Sequence, residues 1–212
     1  MRRLLIALPL VALPFAAGCG LEDDGPRTAQ TRDVAAFTRV DNEDSVNLHL
    51  HVGQPRKLRV SAGEKVIRDV KTTVKDGTLR VRFDHHGWGG QSVDIDAWTP
   101  SLTGIAADGS GDIDAEGLRS DALDVRSDGS ADLRLNGAAG ALKVDLGGSG
   151  DAQLGGLQAR QAQVVVGGSG DAEVRADDRL DVKVDGSGDV RYHGQPAIIR
   201  NVDGSGDVSP VG

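Results

Sequence analysis

Six aspartates stand at near-regular intervals in the second half of the 212-residue chain: Asp112, Asp132, Asp151, Asp171, Asp189 and Asp207. Each closes a four-residue phrase, Gly-Ser-Gly-Asp in five copies and Gly-Ser-Ala-Asp at Gly129–Asp132, and the first glycines lie 20, 19, 20, 18 and 18 residues apart. Carboxylates stacked about 5 Å apart would repel one another, and a divalent cation such as calcium would relieve them. The same phrase can also serve only as a corner. There the carboxylate accepts main-chain N–H groups, glycine supplies the positive φ of a sharp bend, and serines hydrogen-bond along the stack. The corner reading fits better than the calcium-binding nonapeptide pattern G-G-x-G-x-D. Here the aspartate directly follows the second glycine and the period is near twenty instead of nine. No metal is therefore expected, with the six aspartates as the calcium alternative.

Other residue types invite other chemistry. His49 and His51 share one face of a strand, and Asp84-His85-His86 lies in a Gly-rich loop; folded together they would make a three-ligand zinc site. Nothing in the sequence fixes the distance between the two sets, so a solvated polar face is the expectation. Trp88, in Gly87-Trp88-Gly89-Gly90, is a candidate for stacking on a sugar ring. No Ser-His-Asp or Cys-His arrangement is legible. The glycines recur instead of opening one helix, so no phosphate loop fits either. Coils of 18–20 residues leave little length for the long loops of a polysaccharide-acting enzyme. Catalytic residues and cofactors are expected to be absent.

The N-terminus sets the location. Arg2 and Arg3 precede an uncharged apolar run, Leu4–Ala17, too short to span a bilayer comfortably. Ala16-Ala17-Gly18-Cys19 then resembles a lipobox, in which the cysteine thiol is acylated with diacylglycerol and the chain is cut just before it. Cys19 is the single cysteine, which excludes internal disulfides. Residues 1–18 read as a signal peptide and residues 19–32, polar and acidic, as a lipidated flexible tether. The mature chain would have 194 residues and its charge would fall from −8 to −10. That excludes nucleic acid as a partner and opposes electrostatic docking on anionic lipid. Two or more acyl chains anchor stably where one does not. The expected place is the extracytoplasmic face of a bacterial membrane.

Stepping outward from the phrase, the aligned copies alternate. One residue after each aspartate stand Ile113, Leu133, Ala152, Ala172, Val190 and Val208, all apolar; the next column is polar throughout. Four residues before each first glycine stand Ile105, Val125, Val144, Val164, Val182 and Arg200. Period two marks strands with one buried face, and a constant repeat near twenty marks a solenoid. The reading is an all-β, single-chain parallel β-helix with coils of 18–20 residues, regular from about residue 101. Leu118 and Leu157 are placed on a short third side. Arg200 falls in the last coil, where an atypical residue is expected. A shortage of aromatics suits such a thin core of Val, Leu, Ile and Ala.

Residues 33–100 keep the alternation without the phrase. Val46–Val52, Leu58 with Val60 after a Gln54-Pro55 turn, Thr78–Phe83 and the alternating Val93, Ile95 and Ala97 read as strands, and Asp76-Gly77 as a turn. Gly63–Asp69 is either a helical turn or another strand. The region is either irregular coils of the helix or a small sheet packed on its end. The order Phe37-Thr-Arg-Val, the Val46–Val52 strand, Lys57-Leu-Arg-Val-Ser, Asp76-Gly-Thr-Leu-Arg-Val, Pro100-Ser-Leu-Thr-Gly-Ile and Gly109-Ser-Gly-Asp resembles the DUF2807 family, the putative auto-transporter adhesin head GIN domain. The resemblance covers about residues 33–208. It implies a right-handed parallel β-helix spanning 33–212 in the bacterial envelope, often a lipoprotein, and supplies no catalytic residues. The expected role is a lipid-anchored scaffold for adhesion or for contact with an envelope protein, with a glycan- or calcium-binding module as the alternative.

Overall fold

The structure, a computed structural model, describes residues 24–84 and 92–211. Among these there is no α-helix, and no helix long and apolar enough to cross a membrane. Fifteen strands follow in chain order. The N-terminal part contributes β1 (Arg27–Arg32), β2 (Arg39–Asn42), β3 (Val46–Val52), β4 (Lys57–Gly63), β5 (Val70–Lys75), β6 (Thr78–Phe83) and β7 (Val93–Thr99). The repeats contribute β8 (Gly104–Ala107), β9 (Ile113–Ser127), β10 (Leu133–Leu146), β11 (Ala152–Val166), β12 (Ala172–Val184), β13 (Val190–His193), β14 (Ala197–Val202) and β15 (Val208–Pro210).

The repeats form the expected solenoid. Leu133 pairs in parallel with Ile113 on one side and Ala152 on the other, and Val144 with Val125 and Val164. Like residues therefore sit over like, and the inward columns merge into one core of Val, Leu, Ile and Ala. Leu118 and Leu157, on the third side, are fully buried. Each long strand bends where it passes from the second side to the third. In β9 the bend falls at Gly117, whose φ is 74°, a conformation that favours glycine.

The N-terminal half is both of the expected alternatives at once. β2–β3 and β6–β7 are coils, but they stack out of sequence order. β2 lies between β6 and β8, all parallel, and β3 lies between β7 and β9. The chain therefore builds an inner coil, leaves it, builds the outer one, and returns past the inner coil to start the repeats. Beyond the outer coil the strands turn antiparallel: β4 on β7, β1 on β4, and β5 on β6. Asp76 and Gly77, at φ 51° and 72°, make the tight hairpin between β5 and β6. Glu64–Asp69 is a turn, closed by Ile67 N–H donating to Gly63 C=O at 2.9 Å, with Val66 and Ile67 buried as a plug.

One boundary needs correction. Arg27–Arg32, placed by its polarity in the flexible tether, is a strand paired over its whole length with β4. It is an edge strand whose side chains mostly face solvent, so it lacks alternation. Its ladder hydrogen bonds and the Arg32 guanidinium, which donates to the carbonyls of Val70 (2.6 Å) and Ile67 (2.8 Å), hold it in place. The rest of the proposed tether that is described is Asp24 to Pro26, and Cys19 lies outside the described residues.

The opposite end is open. Every residue of β14 is exposed, Ile199 to 59 %. Arg200 occupies a column that is apolar in the coils above, and its guanidinium donates to Val208 C=O at 3.3 Å across the open end. An inward-pointing charge on an edge strand opposes pairing with another edge, and Pro196 and Pro210 flank the same edge. Arg200→Val should therefore increase concentration-dependent self-association in sedimentation velocity relative to the wild type. Unchanged sedimentation would show that Arg200 does not guard this edge.

Candidate functional site

The six aspartates do line one edge, and their geometry answers the question their spacing raised. Asp112 Oδ1 accepts the Asp132 N–H at 3.1 Å, Asp132 Oδ1 that of Asp151 at 3.0 Å, and Asp151 Oδ1 that of Asp171 at 2.9 Å. Asp171 and Asp189 repeat the bond at 2.8 Å to Asp189 and Asp207. One carboxylate oxygen of each of these five is thus committed to the main chain of the following coil. Of the other oxygens, two approach Arg134 (Asp112 at 3.8 Å, Asp132 at 3.6 Å), and that of Asp171 lies 3.7 Å from Arg191. Among the described residues no group of three or more His, Cys, Asp or Glu side chains is arranged to hold a metal ion.

The ladder begins before the first phrase. Asn47 Oδ1 accepts the Asp112 N–H at 3.3 Å, and Asn47 Nδ2 donates to Asp94 Oδ1 at 3.0 Å. Register makes Ser92-Val93-Asp94 and Ser45-Val46-Asn47 the counterparts of Ser110-Gly111-Asp112. Ser45 and Ser110 hydroxyls meet at 2.8 Å, the serine contact expected along the stack. The recurrence of Ser-x-Asp/Asn was the signal available in the sequence. Burial pushes the Asp94 carboxyl up, but hydrogen bonds from Asn47, Arg27 and Ser92 outweigh it and hold it below the usual carboxylate range.

The corner glycines have a different reason from the one expected. None of them has positive φ. A Cβ on Gly129, Gly148, Gly168, Gly186 or Gly204 would lie 1.9 Å from the carbonyl oxygen of the corresponding glycine one coil above. The coils approach too closely there for any side chain, which is the second use of glycine. The other glycine of the phrase is as tightly placed: a Cβ on Gly150, Gly170, Gly188 or Gly206 would lie 2.0 Å from the carbonyl oxygen of its counterpart one coil above. Val46, Val93 and Ala131 stand at the equivalent position in three other coils, all buried.

If the carboxylates act as main-chain acceptors, Asp132→Ala should cost about 1 kcal/mol, roughly 2–4 °C in midpoint, and Asp132→Asn much less because the amide oxygen still accepts. The melt of the wild type should be the same in calcium and in EDTA, since only a ligand of the native state raises it. A calcium-dependent rise would restore the cation reading.

The histidines lie on the same side of the solenoid, one step along each strand. His49 Nδ1 is 3.4 Å from Asp114, and His51 Nδ1 is 2.6 Å from Glu116, with its Nε2 3.7 Å from Asp96. Each thus faces carboxylates of the neighbouring coils. His85 and His86, the other half of the zinc hypothesis, lie outside the described residues, as does Trp88. Trp98 was not singled out from the sequence. His51 of β3 stacks on its ring at 4.8 Å, and Lys57 of β4 lies 4.9 Å from it on the strand at the other side. The half-buried indole is thus flanked by a side chain from each neighbouring strand.

A different surface is concave. A groove of about 880 Å³ runs along the solenoid where the first and third sides of the coils meet. Its floor follows one register row: Arg39, Gly104, Asp124, Lys143, Gln163 and Asp181 are successive partners on adjacent strands. Five strand spacings make the row about 24 Å long. Gly104 leaves room for the Arg39 guanidinium, which lies across it within 3.9 Å of Asp124. Arg179 Nε donates to Asp181 Oδ2 at 2.9 Å, while Asp181 Oδ1 is buried without a partner. The groove presents hydrogen-bond donors and acceptors side by side over several coils. The sequence hid it because its residues sit on the polar face of each strand, 18–65 positions from one to the next, and only register aligns them.

Comparisons with known proteins follow this architecture. Solved structures with the same fold include a putative adhesin of Bacteroides fragilis, 24 % identical, TM-score 0.73, covering 88 % of this chain and 97 % of that one. A putative lipid binding protein of Parabacteroides distasonis is 19 % identical with a TM-score of 0.55, covering 90 % of this chain and 98 % of that one. A putative adhesin of Parabacteroides merdae is 17 % identical, also with a TM-score of 0.55, and covers 90 % and 98 %. No curated protein matches the chain. Residues 36–196 match a family model that spans both the out-of-order coils and the aspartate ladder, and by that match the chain belongs to DUF2807, described as the putative auto-transporter adhesin, head GIN domain.

Proposed function

We propose that this protein is a lipid-anchored component of a bacterial cell envelope whose solenoid is a non-catalytic scaffold for adhesion. Acylated Cys19 holds it to the membrane, and the long groove is the contact surface for another envelope component. The observation that carries this reading is the groove itself. It is extended, polar and spread over several coils, the shape of a surface that grips a chain instead of turning over a small molecule. The family description points the same way. Two measurements test it. Cys19→Ala should leave the precursor uncleaved and remove the protein from the membrane fraction; normal fractionation would reject the anchor. Beads coated with the protein should bind envelope material, and Lys143→Glu with Gln163→Glu should weaken that binding about tenfold by placing like charges beside Asp124 and Asp181. Equal binding by the variant would reject the groove.

A glycan is the second reading of the partner. The mixed donors and acceptors of Asp124, Lys143, Gln161 and Gln163 suit hydroxyl-rich chains, and a glycan array separates this from a protein partner.

A further inference from the structure

The capped end of the solenoid has a charge opposite to that of the rest. Residues 53–77, which supply β4, the Glu64–Asp69 turn and β5, hold seven Lys and Arg against three Asp and Glu. Four of the six lysines of the chain are among them, Lys57, Lys65, Lys71 and Lys75. Residues 101–212, the stacked coils, hold ten Lys and Arg against nineteen Asp and Glu. Strand order places the basic segment at one extremity: β4 and β1 close one sheet path, and β5 ends the other. Arg56, Arg59, Arg68 and Lys75 are exposed, and no carboxylate pairs with them among the described residues. Arg32, Arg68 and Lys71 border a cleft of about 550 Å³ shared by β1 and β5.

Chain length fixes which end meets the membrane. β1 begins at Arg27, so seven residues separate it from Cys19. Even fully extended they reach at most about 25 Å. A chain tethered at Cys19 therefore keeps its basic cap at the bilayer, whereas the eight strands from β7 to β15 carry the acidic coils on the order of 30 Å away.

We propose that the basic cap seats on the anionic headgroups of the membrane that holds the chain, so that the solenoid stands upright with its open coil outermost. The inference rests on the anchored reading above. The net charge of the whole chain is no obstacle, because charges act on a surface only within a Debye length of about 8–10 Å. A cap seated on the bilayer lies inside that distance and the acidic coils lie outside it. Repulsion of the coils from the same surface favours the same orientation. Each Lys or Arg near such a surface multiplies binding roughly fivefold.

The test is flotation of the full-length chain with vesicles of phosphatidylcholine and with vesicles in which about three lipids in ten are phosphatidylglycerol. The N-terminal segment, with Arg2 and Arg3, sets a level common to the wild type and both variants, and the excess is what stands above it. The anionic vesicles should bind about tenfold more protein at low salt, and the excess should vanish near 0.5 M salt. Arg59→Glu, Arg68→Glu and Lys75→Glu together should abolish the excess. Arg160→Glu, Lys183→Glu and Arg191→Glu, the same charge change on the coils outside the groove, should leave it. Circular dichroism melts of both variants check that they fold. Equal binding to the two vesicle types, or loss of the excess in the coil variant as in the cap variant, overturns the proposal. Loss of binding to phosphatidylcholine with the excess intact supports the cap and rejects the anchor instead.

Discussion

Leu133→Ala is expected to lower stability by about 2–5 kcal/mol, roughly 4–20 °C in thermal midpoint for a chain of this size. Leu133 is fully buried in a central coil and stacks between Ile113 and Ala152. The neighbour below is already small, so the cavity left by truncation has no large side chain to collapse into it from that side. Parallel stacking adds a second reason. The ladder hydrogen bonds fix the spacing of the coils, so the walls cannot close on the void. Leu133→Ile keeps the volume and should cost less than about 1.5 kcal/mol. Arg134→Ala, one residue along and facing outward, should cost far less than Leu133→Ala. Equal losses at 133 and 134 in denaturant melts would mean that the column is not a core.

Gly148→Ala is the second large effect, and it acts by collision instead of cavity. The new Cβ would lie 1.9 Å from Gly129 C=O and 2.8 Å from the Asp128 main chain. Both are backbone, so no flexible side chain can move aside, and the two coils must separate at the corner. Overpacking of this kind costs about 1–3 kcal/mol and sometimes more. Parting the coils also stretches the Ser149 N–H bond to Gly129 C=O, now 2.9 Å, and the Asp151 N–H bond to Asp132. Gly150→Ala should cost a comparable amount, because its Cβ would lie 2.0 Å from Ala131 C=O, again backbone. Neither glycine has positive φ, so collision with the coil above is the only source of the loss. A loss below about 0.5 kcal/mol at both positions would reject the close-approach explanation.

Several strands were legible because their alternation is local. Val46–Val52 and Thr78–Phe83 were read with the bounds they have in the structure, and the apolar columns of the repeats became the core ladders. Where alternation is weak the reading slipped. Arg27–Arg32 looked like tether because an edge strand with mostly exposed side chains has no buried face to mark it. The corner phrase was recognised as corner chemistry, but the role of its glycines was misassigned. Their constraint comes from the coil above, about twenty residues away, and not from their own backbone angles.

By itself the sequence determined the class of fold and its period, because a residue type that recurs every 18–20 positions encodes how each coil meets the next. Only the tertiary structure decided the order in which the N-terminal coils stack. The pairing of β3 with β7 joins residues 47 positions apart that carry no shared phrase beyond Ser-x-Asp/Asn. It also decided the groove and the basic cap. Both are made of side chains on solvent-facing columns, where core packing places no demand on residue type. What those residues form together depends on register and on which strands end the stack, and these are properties of the assembled chain.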